Sequence, residues 1–242
     1  QRTEMGLRML SWDEILLKGQ EKINTGKTVL SLDDFRFERG KASIFHIPRL
    51  DIEEHSIVGI IGNNGVGKTT FISSLIGLLK YQGDVIIDTH QVKRKILTKK
   101  GFLVMQDVNR QLFGSTVSEE VSLGMKEKKE DRINELLKEF KLEELKSKHP
   151  ATLSGGQKQR LAIASAIYSQ KQFLYFDEPT SGLDKQSMIA FSNILLHIRD
   201  KAKCIFVITH DPELLFSCAD FILKLEDNQV YDYYPMDRKG IE

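Results

Sequence analysis

The apolar run Ser56-Ile57-Val58-Gly59-Ile60-Ile61 leads without a break into Gly62-Asn63-Asn64-Gly65-Val66-Gly67-Lys68-Thr69-Thr70. Phe71, Ile72, Leu75, Ile76 and Leu79 then recur at helical spacing. A short β-branched run of this kind reads as a buried strand. The glycines let the following loop turn tightly, so several backbone amides point at one place. The next helix adds the partial positive charge of its N-terminus. The result is a cradle for a nucleotide's phosphates. Within it Lys68 can reach the β- and γ-phosphates and the Thr69 hydroxyl can ligate Mg²⁺, while Asn63 to Gly67 and Thr70 complete the loop. Strand, loop and helix together fix an α/β P-loop core. They do not fix its use, because kinases, GTPases and many ATPases share the loop.

A second element narrows that use. Phe173-Leu174-Tyr175-Phe176 is an apolar strand ended by Asp177, and a carboxylate there can accept hydrogen bonds from Mg²⁺-bound water. Glu178, one residue on, is placed to polarise a water aimed at the γ-phosphate; the competing reading of Asp-Glu-Pro is a helix cap. Upstream, Ser154 can N-cap a helix running through Leu161, Ala162, Ala164 and Ile167. Gly155 and Gly156, lacking side chains, let a phosphate approach its amides, with Gln157 beside them. Since Lys68 and its loop already hold one nucleotide, a second phosphate-binding helix start suits a different nucleotide, held by a partner domain. Another apolar strand, Cys204 to Thr209, runs into His210 and then Asp211-Pro212-Glu213, a helix start. A lone histidine at a strand end is more often structural. Gln106 ends the strand Phe102 to Met105 and opens a charged, helical stretch.

These motifs, in this order, resemble the nucleotide-binding domain of ATP-binding cassette (ABC) ATPases over roughly residues 29–233. In that likeness Leu153 to Gln157 is the signature loop, and Ser181-Gly182-Leu183-Asp184 is the D-loop, with Asp184 at the nucleotide. His210 is the switch histidine at the γ-phosphate, and Gln106 is the Q-loop glutamine touching Mg²⁺ or the attacking water. An aromatic residue near the end of the first strand stacks on adenine; Phe37 stands in that place, with Phe35 as the core-packing competitor. The resemblance implies ATP and Mg²⁺ as ligands, and two domains meeting head to tail around two ATP molecules. The fold it implies has a mostly parallel core sheet and a small antiparallel β subdomain, about 29–55 and 83–105. Core strands are expected near 57–61, 102–105, 173–177, 204–209 and 221–225. A helical insertion follows at about 107–153. Residues 1–28 read as a connecting segment, with a short amphipathic helix over 10–17, and 29–242 as the domain.

The stretch Gln106 to Phe113, Q-x-x-x-x-Q-L-F, followed by Thr116-Val117 and Glu120-Val121, looks like the ATPase subunits of energy-coupling factor importers. Those work with a membrane scaffold protein and commonly take up vitamins or metal ions. Gln111, Leu112 and Phe113 are then the expected contacts to the scaffold, with local packing under the helical insertion as the alternative. The formal charge of +1 argues against nucleic acid as the main partner. Cys204 and Cys218 lack metal-ligand spacing. No apolar run reaches the ~18–20 residues that span a bilayer, and no signal peptide is visible. A peripheral subunit on the cytoplasmic face of the membrane is expected. The alternative is a non-transport ABC ATPase, a soluble mechanochemical or regulatory module. The start at Gln1 rather than Met reads as a piece of something longer, and Gly6-Leu7-Arg8 resembles the link between halves of tandem versions.

Overall fold

The computed structural model describes residues 26–39, 43–181, 183–227 and 229–236. The helix expected over 10–17 and most of the connecting segment lie outside them. Among the described residues the strands form one ten-stranded sheet with two kinds of pairing. On one side β1 (Thr28–Arg39), β2 (Ser43–Glu53), β4 (Gln82–Ile87) and β5 (His90–Gln91) pair antiparallel. On the other, β9 (Phe221–Glu226), β3 (Ser56–Ile61), β8 (Cys204–Ile208), β7 (Phe173–Asp177) and β6 (Gly101–Val104) run parallel in that order. β10 (Gln229–Pro235) is antiparallel to β9 and meets β2 in parallel at Gln229 and His46, joining the two halves.

All of β3 and β8 is buried, as parallel strands covered on both faces must be. Their apolar runs therefore read as strands without alternation. The five core strands start and stop within a residue of the expected positions, the usual uncertainty of element ends. The expected antiparallel subdomain needs correction at its far end. Residues 94–100 form a helix, α2 (Arg94–Lys100), after α1 (Lys68–Leu75), and 101–104 pair parallel with β7. The segment over 94–100 carries one buried residue, Leu97, among cations, and so has no strand-like alternation to bury.

The insertion contains α3 (Val117–Val121) and α4 (Glu130–Glu139). α4 buries Ile133, Leu136 and Leu137, one stripe at helical spacing, and leaves its charges outside. It packs on α5 (Gly155–Tyr168). α6 (Lys185–Ile198) and α7 (Pro212–Cys218) complete the helices that position the site.

Candidate functional site

Between β3 and α1 the loop turns on three glycines at positive φ, Gly62, Gly65 and Gly67. Gly67 has φ 109, in the left-handed range, and gives α1 an N-terminus without a side-chain cap. A Cβ on Gly62 would lie 2.5 Å from the Leu225 carbonyl oxygen and 2.9 Å from Val66 Cγ1, so the loop can seat against β9 only with glycine there. The first-turn amides of α1 are left open to an anion. Lys68 is buried beneath them, its Nζ donating to the carbonyls of Gly62 at 2.7 Å and Asn63 at 3.2 Å. Burial holds its pKa below the ordinary lysine value.

β7 and β8 end side by side across from this loop, Asp177 opposite Ile208. The Thr69 hydroxyl donates to Asp177 Oδ2 at 3.1 Å. Glu178 follows with φ 47, a conformation that costs a non-glycine residue about 1–2 kcal/mol. Its N–H is held by the Ile208 carbonyl at 2.9 Å, which fixes the turn. The strained turn brings its carboxylate to His210, whose backbone N–H donates to Oε2 at 3.3 Å. His210 Nε2 lies 3.2 Å from Glu178 Oε1 and 3.2 Å from Lys68 Nζ. One ring nitrogen can accept from the ammonium or donate to the carboxylate, not both. Burial, then the Lys68 charge, holds the imidazole below its ordinary pKa and favours the neutral ring. Burial also raises the pKa of Asp177 and of Glu178, against the Thr69 hydrogen bond at the first and the His210 amide at the second. A carboxylate raised in this way is a stronger proton acceptor.

One cleft of about 880 Å³ is lined by Asn64, Gly65, Gly67, Lys68, Thr69, Thr70, Gln106, Asp177, Glu178 and His210. Gln106 is exposed there, just beyond the end of β6. Asn63 and Asn64 also border a second hollow of about 420 Å³, beside Lys224 and Glu226. Val66 packs partly buried against the core.

Four of the expected ligand contacts form a separate group. Ser154 caps α5: its hydroxyl accepts from the Gln157 N–H at 3.4 Å, and Gln157 Oε1 accepts from the Ser154 N–H at 2.9 Å. With Gly155 and Gly156 they stay outside the cleft, and a Cβ on Gly155 would meet no atom within 4 Å. Asp184 also stands away from it, its carboxylate capping α6 through the Ser187 N–H at 2.8 Å.

Phe37 departs from the expectation. It is 2% exposed, stacked on Phe45 at 4.7 Å and 14° and on Phe71 at 6.0 Å. The β1–β4 register shifts between Asp33 and Arg36, where Asp34 takes φ 48, and beyond this shift both Phe35 and Phe37 are buried in the core. Burial within this ring cluster outcompetes an exposed stacking face for adenine.

Sequence reasoning missed two residues. Thr180 lines the cleft, 2% exposed, and its hydroxyl donates to Asp211 Oδ2 at 3.3 Å, bracing the loop after β7 against the one after β8. Glu120 is buried, its Oε2 accepting the amides of Phe113 at 2.7 Å and Gly114 at 2.6 Å. Thr180 sits in no pattern that periodicity or spacing would flag; Glu120 belongs to the Thr116-to-Val121 motif, but spacing gives no sign that its carboxylate folds back on the preceding loop. The clamp at Glu120 separates the two apolar neighbours: Leu112 packs half-buried on the core, while Phe113 is 75% exposed. Gln111 is occupied locally, its Oε1 accepting from the Met105 N–H at 2.7 Å.

Residues 45–181 match the family model for ABC transporters. The energy-coupling factor transporter ATP-binding protein EcfA1 of Thermotoga maritima is 36% identical over 186 residues, covering 74% of this chain and 71% of its own. The solved structure of cbiO1 from Clostridium perfringens, part of the ABC transporter complex cbiONQ, aligns with a TM-score of 0.77 at 26% identity. It covers 86% of this chain and 88% of its own. An ATP-binding cassette solved as a dimer, in a post-hydrolysis state bound to ADP and Pi, aligns with a TM-score of 0.69 at 26% identity, over 88% of this chain and 100% of its own. The chain spans about half the length of the first curated relatives it matches, 43% and 48%. Among the described residues no helix is long and apolar enough to cross a membrane.

Proposed function

The chain belongs to the ABC transporter family, and on that footing we propose that it binds ATP and hydrolyses it to power a membrane importer of the energy-coupling factor type, from the cytoplasmic face. The observation that carries this is the division of the site into two halves. Lys68, Thr69, Gln106, Asp177, Glu178 and His210 meet at one cleft, while the capped turn Ser154-Gly155-Gly156-Gln157 does not line it. A complete site then needs the signature turn of a second ABC domain, in the same chain or another, with Asp184 near the seam.

In this reading the loop amides from Asn63 to Thr70 and the Lys68 ammonium hold the β- and γ-phosphates. Glu178 accepts a proton from the attacking water, and His210 orients the γ-phosphate beside it. The oxygen donors at Thr69, Asp177 and Gln106 fit a hard cation, and would hold Mg²⁺, which when bound draws charge from the phosphates. Phe113 is the contact offered to a membrane scaffold, with Gln111 and Leu112 shaping the loop that presents it. The cargo is of the vitamin or metal-ion class that such importers commonly take up.

Glu178→Gln tests the reading. It should bind ATP, lose about 10²–10⁴-fold in turnover, and elute as a dimer in ATP on size-exclusion chromatography. Undiminished turnover would remove Glu178 from the chemistry. A variant that binds ATP fully yet pairs neither with itself nor with a second ABC domain supplied to it would remove the shared site.

A further inference from the structure

The turn that carries Glu178 is tied to three segments, and one of them starts at the other half of the site. The Glu178 N–H donates to the Ile208 carbonyl at 2.9 Å, which ties the turn to β8. The Thr180 hydroxyl ties it to Asp211 at 3.3 Å, at the start of α7. Between these two contacts Pro179 is buried. Proline has no N–H, so its carbonyl is the one polar group it offers. The Gln159 side-chain amide donates to that carbonyl. Gln159 lies on α5, four residues beyond Gly155 and on the same face of the helix. α5 is a single helix of 14 residues, closed at its start by the capping box and buried from Leu161 to Tyr168. The turn Ser154-Gly155-Gly156-Gln157 and the Gln159 amide are therefore carried by one rigid element.

We propose that Gln159 is a positioning residue for Glu178. It carries the placement of the capped turn, which faces a second domain's nucleotide, into the aim of the carboxylate at this chain's own. Gln159 does not line the cleft, so its effect runs through Pro179. The turn it steadies needs such support. Glu178 stands at φ 47, a conformation that side chains rarely adopt. The strain of that conformation and the contribution of one hydrogen bond are similar in size. Withdrawing the amide is then enough to let the turn relax and the carboxylate leave the His210 N–H. Hydrolysis at one nucleotide thereby depends on how the same chain is seated at the other. The inference deepens the shared-site ATPase reading and rests on it.

The test is amide hydrogen exchange of the full chain without nucleotide, followed by ATP turnover with a second ABC domain supplied. Gln159→Leu keeps the bulk of the side chain and removes its donor. Peptides covering 178–184 should exchange roughly tenfold faster than in the parent, while those covering 63–70 keep the parent's rate. ATP binding should be unchanged, and kcat should fall about 10–100-fold with KM near the parent's. Gln159→Glu keeps the shape and lacks the N–H, and should show the same faster exchange. Parent-like exchange over 178–184 in both variants would overturn the proposal. So would a loss of ATP binding in step with turnover, the mark of a merely structural role. A parent that shows no turnover with any second domain would instead remove the ATPase reading, and the exchange result would still decide whether Gln159 holds the turn.

Discussion

The Thr69 hydroxyl donates to the Asp177 carboxylate across 3.1 Å, tying the start of α1 to the end of β7, 108 residues later. Both groups are oxygen donors at the wall of one cleft. Asp177→Asn should weaken Mg²⁺ activation of ATP hydrolysis by about 10–100-fold, read from a Mg²⁺ titration. Thr69→Ser, which keeps the hydroxyl, should leave that titration near the parent's. Equal Mg²⁺ requirements in the parent and Asp177→Asn would exclude the carboxylate from the cation site.

Glu178 carries a pKa raised by burial, so the folded state holds its proton at pH values where the unfolded chain has lost it. Between the ordinary glutamate value and the raised one, the folded state binds more protons, and stability contributed by this group falls as pH rises. Glu178→Gln removes the buried charge. Its melting temperature should therefore exceed the parent's at neutral pH, and the gap should close as pH falls into the ordinary carboxylate range. Parallel Tm curves over that range would contradict the assignment of burial as the dominant influence.

Phe37 packs against both Phe45 and Phe71 and behaves as core. Phe37→Ala should cost about 3–5 kcal/mol, seen as a drop in Tm of roughly 2–4 °C per kcal/mol for a domain of this size. A ring whose main task was nucleotide stacking would give a different result: little change in Tm and a weaker Kd for ATP.

Leu112 and Phe113 should separate on mutation. Phe113→Ser removes a side chain that is 75% exposed and should leave stability within about 0.5 kcal/mol. It should nonetheless abolish co-purification with a membrane scaffold. Leu112→Ser opens a contact with the core and should lower Tm on its own. Retention of the scaffold by Phe113→Ser would place the docking contact elsewhere.

Most of the parallel core was legible because its strands are continuous apolar runs that end at or near a polar residue or glycine: Gly62, Asp177 and His210. The capping box at Ser154 and Gln157 was legible in the same local way, since both partners lie within one helical turn. The boundary of the antiparallel layer was not. Residues 94–100 are short and rich in lysine, and whether such a segment is strand or helix depends on what packs against Leu97.

By itself the sequence determined the phosphate loop, the acids at the end of β7, the histidine after β8 and the capped turn at Ser154, because each depends on neighbours a few residues away. Only the tertiary structure decided the rest. A register shift near Asp34 buried Phe37, a left-handed turn at Glu178 aimed its carboxylate at His210, and Glu120 reached back to hold the loop from which Phe113 projects. Those outcomes depend on contacts between segments far apart in the chain. Local pattern carries no information about which distant surface will cover a given side chain, and burial is what sets each of these roles.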